Sequence, residues 1–240
     1  MAVKKISLSS STFDIHYEIL HPKNEKDLIV LHGWGSNKEI MKQAFGKLLP
    51  TFRHIYIDMP GFGKSSNDSI MDTEGYAEVI GHFLKEIGAK KDIMIGHSYG
   101  GKVATLLQPE LLVLLSNSGI PIPKPLSVRL KIKLFKILKA FGGNTLAQLF
   151  AAKDVQNMPQ NMYETFKIVV NEDFTPTFEA YPKTALLFWG KEDTAAPLWS
   201  GEKIASLMQK STLYPLEGDH FFFLQHADFI ADTIQKEIHG

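Results

Sequence analysis

The sequence predicts an α/β fold in which a mostly parallel sheet carries helices on both faces. Two observations predict it. Continuous apolar runs of strand length recur along the chain, as strands covered on both faces require. Most are separated by segments whose apolar residues repeat at helical spacing, the alternation that builds parallel sheets. The chain has 240 residues, 44% of them hydrophobic and 22% charged, which is enough apolar surface for one large core.

The elements follow in order. Phe13 to Leu20 is the first extended run, then Leu28-Ile29-Val30-Leu31, then His54-Ile55-Tyr56-Ile57. Between the last two, Ile40, Met41, Ala44, Phe45, Leu48 and Leu49 repeat at helical spacing and Pro50 closes the segment. Tyr76, Val79, Ile80, Phe83, Leu84 and Ile87 form the next helical face, Gly88 stops it, and Asp92 to Ile95 reads as a buried strand. A helix from about Ser98 to Leu107 leads into a strand at Leu111 to Leu115. From Ile120 to Tyr181 the alternation ceases: Pro121, Pro123 and Pro125 mark a boundary, and amphipathic helices replace strands. Strand, helix, strand and helix then resume at Thr184 to Trp189, Leu198 to Met208, Ser211 to Tyr214 and Phe223 to Ile238. The expected organisation is a core of residues 1–119 and 182–240 interrupted by a helical insertion, 120–181.

Composition narrows the function classes. The 26 basic and 26 acidic residues cancel, so global charge gives no reason to expect nucleic acid or a membrane as the main partner. With no cysteine, disulfides, thiolate metal sites and cysteine nucleophiles are excluded. The N-terminus has Lys4 and Lys5, but Ser9, Ser10, Ser11 and Thr12 stand where a signal peptide would be most apolar. No run approaches the roughly 20 apolar residues of a spanning helix. The expectation is a soluble, cytoplasmic protein without a transmembrane segment.

The chemistry is carried by four loops, each following a strand. Gly96-His97-Ser98-Tyr99-Gly100-Gly101 places a G-x-S-x-G motif between a strand and a helix, where a sharp turn presents the Ser98 hydroxyl above the sheet edge. A serine hydroxyl is a weak nucleophile until a base takes its proton. His220, in Glu217-Gly218-Asp219-His220 after the last strand, would lie in a loop at the same edge, and of the nine histidines it fits best. The base needs a carboxylate to fix its tautomer. Asp193, in Gly190-Lys191-Glu192-Asp193, is the candidate, with Glu192 and Asp219 as competitors. Leu31-His32-Gly33-Trp34-Gly35 follows an early strand like the loops that supply an oxyanion donor, so the backbone N–H groups of Trp34 and Tyr99 are the expected hole. No metal or organic cofactor is called for.

With these loops, the chain resembles the α/β-hydrolase-fold superfamily over nearly its whole length, as an esterase-like serine hydrolase with a helical cap. The H-G-W-G loop, the Asp58 to Ser65 segment, the G-H-S-Y-G-G turn, the W-G-K-E-D loop and the G-D-H loop occur in family order. The resemblance implies a cap inserted after the sixth strand, lying over the nucleophile, and an architectural Asp58. Two departures stand out. The segment from Gly100 to Leu111 is shorter than in the family, so the helix behind Ser98 should end near Pro109. Ser116-Asn117-Ser118 carries no carboxylate, against the family variant whose acid follows that strand and in favour of Asp193.

The expected activity is cleavage of a carboxylic ester or thioester through an acyl-enzyme on Ser98. Carbon–carbon bond hydrolysis and a non-turnover ligand receptor are the alternatives on the same scaffold. Candidate substrate contacts are His32, Gly33, Phe62, His97, Phe150, Trp199 and Phe221, around an apolar acyl pocket. Between Glu110 and Asp154 there is no acidic residue but seven lysines and arginines, with Arg129, Lys133, Lys136 and Lys139 on one helical arc. A solvated face is the plain reading. The functional reading is attraction of an acidic partner: a carboxylate-bearing substrate, an anionic lipid surface or an acyl carrier protein.

Overall fold

The computed structural model describes residues 2–8, 11–122 and 158–239. Eight strands form one sheet: β1 (Ala2–Leu8), β2 (Ser11–Leu20), β3 (Asp27–Leu31), β4 (Arg53–Ile57), β5 (Ile93–His97), β6 (Leu111–Leu115), β7 (Thr184–Gly190) and β8 (Ser211–Leu216). Their spatial order is β1-β2-β4-β3-β5-β6-β7-β8. β1 and β2 are antiparallel, β2 joins β4 antiparallel, and every later pairing is parallel. The described helices are α1 (Lys38–Phe45), α2 (Thr73–Glu86), α3 (Tyr99–Leu107), α4 (Gln160–Val169), α5 (Thr175–Glu179), α6 (Leu198–Leu207) and α7 (Phe223–His239).

The two faces of the sheet are separate cores because side chains alternate along each strand. Ile29 and Leu31 of β3, Met94 of β5, and Leu112 and Leu114 of β6 bury against one layer that includes α2 and α3. Leu28 and Val30, Ile93 and Ile95, and Leu111, Val113 and Leu115 bury against the other, with α1 and α7. All five residues of β3, β5 and β6 are buried, which is why these strands read as unbroken apolar runs.

Two details depart from expectation. β1 gave no strand signal, because as an edge strand only its Ile6 is buried; Ile6 pairs with Phe13 of β2. α1 stops at Phe45, capped by Gly46, rather than running to Leu49, which has a φ of 50° and is not helical. α3 ends at Leu107, where Gln108 turns left-handed, as the shortened segment before β6 required. Between β6 and β7 the described residues carry α4 and α5 and no strand. The expected basic helix and Phe150 lie outside the described residues.

Asp58, at the end of β4, ties the first loop of the site to the second. Its carboxylate accepts from the Lys38 backbone N–H and from Lys38 Nζ, both at 2.8 Å, and from the Lys64 amide at 3.2 Å. Lys38 and Asp58 side chains are both almost fully buried. Without Asp58 the buried Lys38 ammonium keeps only the exposed Glu39 at 3.2 Å, and breaking a buried pair costs about 3 to 5 kcal/mol. Asp58→Ala should therefore lower the unfolding free energy by about 3 kcal/mol in urea titration; a loss within error of zero would show that the pair anchors nothing.

Candidate active site

The turn between β5 and α3 is shaped by what its neighbours forbid. Ser98 has φ 50° and ψ −115°, a strained conformation for a residue with a side chain. Its main chain is pinned from β6: the Ser98 N–H donates to Leu115 O at 2.9 Å, and the Ser118 N–H donates to Ser98 O at 3.3 Å. The flanking glycines are there for space. A Cβ on Gly96 would lie 2.4 Å from Gly101 Cα, and one on Gly100 would lie 2.4 Å from the His32 carbonyl oxygen. The Ser98 side chain thus stands at the start of α3, at the C-terminal edge of the parallel strands.

The loops after β7 and β8 meet at that edge. Lys191 N–H donates to Leu216 O at 2.8 Å and Glu192 N–H to Gly218 O at 3.0 Å, locking the two loops together. Across them His220 Nδ1 lies 2.7 Å from Asp193 Oδ2. The other Asp193 oxygen accepts the N–H groups of Ala195 and Ala196, each at 2.8 Å. Burial alone would push the Asp193 carboxyl up, but the His220 hydrogen bond, the Ala196 amide and the His220 charge outweigh it and leave the group below its ordinary value. The competitors are engaged elsewhere: Glu192 accepts from the Gly218 N–H, and Asp219 Oδ1 accepts from the Phe221 N–H at 2.8 Å.

A cleft of about 540 Å³ opens over Ser98. Its apolar wall includes Trp34, Tyr99, Ile120, Phe166 and Val169; Lys102, Asn117 and Glu172 bring polar groups to it. α4 covers this end of the sheet through the Trp34–Phe166 ring contact at 5.4 Å, a Thr165 Oγ1 bond from the Met71 N–H at 3.2 Å, and an Asn161 bond to Asn67 O at 2.7 Å.

The model of the alpha/beta hydrolase family matches residues 28–233, nearly the entire span of this architecture. The chain belongs to the alpha/beta hydrolase family. Among curated relatives, pimeloyl-[acyl-carrier protein] methyl ester esterase of Vibrio vulnificus (strain YJ016) is 26% identical over 244 residues, covering 86% of this chain and 89% of that protein. The uncharacterized hydrolase YugF of Bacillus subtilis (strain 168) is also 26% identical, covering 85% and 86%. The solved esterase EaEST from Exiguobacterium antarcticum superposes with a TM-score of 0.73 at 20% identity, over 95% of this chain and 96% of that one, which is a likeness of fold.

In this alpha/beta hydrolase the sequence-predicted residues divide into three groups. Ser98, Trp34 and Tyr99 line the cleft, and Asp193 and His220 are joined beside it. Among the described residues no hydrogen bond links Ser98 Oγ to His220; such bonds are often long before substrate arrives. Gly33 backs onto the turn, since a Cβ there would lie 2.9 Å from His97 Nδ1 and 3.2 Å from Ser98 Cβ.

His32, Phe62 and His97 are instead buried behind the cleft. His32 Nε2 accepts the Met59 N–H at 3.1 Å while Nδ1–H donates to Gly33 O at 2.7 Å, and burial pushes its pKa down to about 4. It is a neutral strut holding the H-G-W-G loop to β4, with the Phe62 ring packed edge-on at 5.6 Å. Trp199 and Phe221 lie outside the cleft lining, at 43% and 40% exposure.

Two charged lining residues were not anticipated. Lys102 follows Ser98 by four positions, one helical turn, and that spacing was the signal available. Its ammonium is buried; it donates to Val169 O at 2.8 Å, pairs with Glu172 at 2.5 Å and sits 4.3 Å from the Phe174 ring centroid. Glu172 also accepts from the Thr73 N–H and hydroxyl, so it clips the segment after α4 to the N-terminus of α2. Nothing in the sequence connects Glu172 to Lys102 or Thr73, which come together only through the fold. No described helix is long and apolar enough to cross a membrane.

Proposed function

We propose that this chain is a serine hydrolase that cleaves a carboxylic ester or thioester, with Ser98 as nucleophile, His220 as general base and Asp193 as the group orienting the base. The observation that carries the reading is the 2.7 Å bond between His220 Nδ1 and Asp193 Oδ2 at the same sheet edge as the strained Ser98. With Nδ1–H given to the carboxylate, the Nε2 lone pair is free to take the Ser98 proton. Ser98 Oγ attacks the carbonyl carbon, and the oxyanion is received by the backbone N–H groups of Trp34 and Tyr99. The imidazolium of His220 returns the proton to the departing alcohol or thiol. Water then enters, loses its proton to His220 and releases the acid from Ser98. A positioned base contributes roughly 10²- to 10⁴-fold, and an oxyanion donor about 10²- to 10³-fold.

The mainly apolar cleft suits an acyl chain, and residues 120–181 act in this reading as a helical cap that sets its length. The name of the Vibrio vulnificus relative supports an acyl carrier protein as the source of the acyl group. The test is steady-state hydrolysis of p-nitrophenyl esters from acetate to dodecanoate. Sustained turnover preceded by a burst stoichiometric with enzyme is expected, with an optimum at intermediate length. Saturable binding of these esters without product release would replace the hydrolase with a receptor.

A further inference from the structure

Asp193 grips only one atom of the His220 ring, so the ring's reach toward Ser98 also depends on where the His220 main chain is held. His97 holds it. Its Nε2 lies 2.9 Å from the His220 carbonyl oxygen. A carbonyl only accepts, so Nε2 carries the proton and Nδ1 is a bare lone pair. That Nδ1 is buried without a partner among the described residues, behind Gly33. The ring is enclosed by His220, Phe223 and Phe221, with centroids at 4.6, 4.8 and 5.4 Å. Burial, reinforced by the neighbouring His220, pushes its pKa down to about 3, so the ring stays neutral.

We propose that His97 is a positioning residue for the hydrolytic centre: its Nε2–H bond to the His220 carbonyl ties the main chain of the base to the residue that precedes the nucleophile. One peptide bond separates His97 from Ser98, so a single side chain sets the spacing between base and nucleophile. Neutrality matters to this role. A cation at 4.6 Å would oppose the imidazolium that His220 becomes when it takes the serine proton. A neutral donor holds the carbonyl without that penalty. The inference rests on the proposed roles of Ser98 and His220.

The test compares His97→Gln, His97→Asn and His97→Phe. The Gln amide nitrogen occupies the place of Nε2, Asn is one carbon too short, and Phe keeps the ring's bulk without a donor. If the hydrogen bond positions the base, His97→Gln keeps kcat for p-nitrophenyl butanoate within about 3-fold of wild type. His97→Phe and His97→Asn then lose about 10²-fold, the scale of a 1 Å misplacement, with KM unchanged. A packing role alone gives the opposite order, with Phe retaining the rate and Gln losing it. That order, or equal losses in all three variants, overturns the proposal. Should His97→Phe fail to fold, the Gln–Asn comparison decides by the same criterion.

The rate of Ser98 labelling by a fluorophosphonate provides a second readout, expected to rank the variants identically. Wild-type turnover that disappears in Ser98→Ala, with flat His97 variants, defeats this inference alone. Absence of both turnover and labelling in the wild type defeats it together with the proposed reaction.

Discussion

Ser98→Ala is expected to reduce kcat toward p-nitrophenyl esters by about 10⁶-fold, the scale on which serine nucleophiles act when base and oxyanion donors work as one unit. The fold should tolerate the change. Among the described residues the Ser98 hydroxyl makes no hydrogen bond, so alanine strands no partner. The strained φ of 50° is held by main-chain bonds to Leu115 O and from the Ser118 N–H, which alanine keeps. The melting midpoint should accordingly stay within about 2 °C of wild type, corresponding to well under 1 kcal/mol in a domain of this size. The decisive measurement is kcat on purified variant alongside its melting curve. Retention of more than about one part in a hundred of the wild-type rate, far above that scale, would remove Ser98 from the reaction.

The second large effect belongs to Asp193. Asp193→Asn should lower kcat by about 10⁴-fold, as expected when the base is held in the wrong tautomer. The structure says why asparagine would err in one direction. Oδ1 accepts two backbone N–H groups, from Ala195 and Ala196, so the asparagine carbonyl oxygen takes that place. Its NH₂ then faces His220 Nδ1, which must become an acceptor, and the proton moves to Nε2 where it blocks attack. KM should change little.

The same substitution has a pH signature. The folded pKa of Asp193 lies below its ordinary value, because the bonds from His220 and the Ala196 amide and the nearby His220 charge outweigh the upward push of burial. A depressed carboxyl stabilises the fold at pH above its unfolded value, about 3.9, and that contribution is lost as pH falls through the folded value. The melting gap between wild type and Asp193→Asn should therefore narrow as the pH falls below about 4. A gap that stays constant down to pH 3 would mean that Asp193 is not held as an ionised, hydrogen-bonded group.

The alternation of strand and helix from Leu28 onward was legible in the residues alone, because strands buried on both faces show as apolar runs. Also legible was that Ser98, Asp193 and His220 lie on loops at one sheet edge. Each directly follows a strand of the parallel set, and parallel strands end on the same side. β1 was missed for the converse reason, since an edge strand with one buried residue carries little hydrophobic pattern.

The remaining features follow from packing across the fold. Which of Asp193, Glu192 and Asp219 meets His220 depends on how the loops after β7 and β8 interlock, and three carboxylates so close in sequence or space differ only in that geometry. His32 and His97 stood in site motifs and were read as substrate contacts, yet both rings point away from the cleft and hold its loops together. Motif membership reports that a residue is near a site, whereas its role follows from where its side chain points. The Lys102–Glu172–Thr73 cluster depends on long-range packing, joining residues up to 99 positions apart. A local pattern specifies faces and edges through the period of the backbone; partners across the fold are specified only when the core has packed.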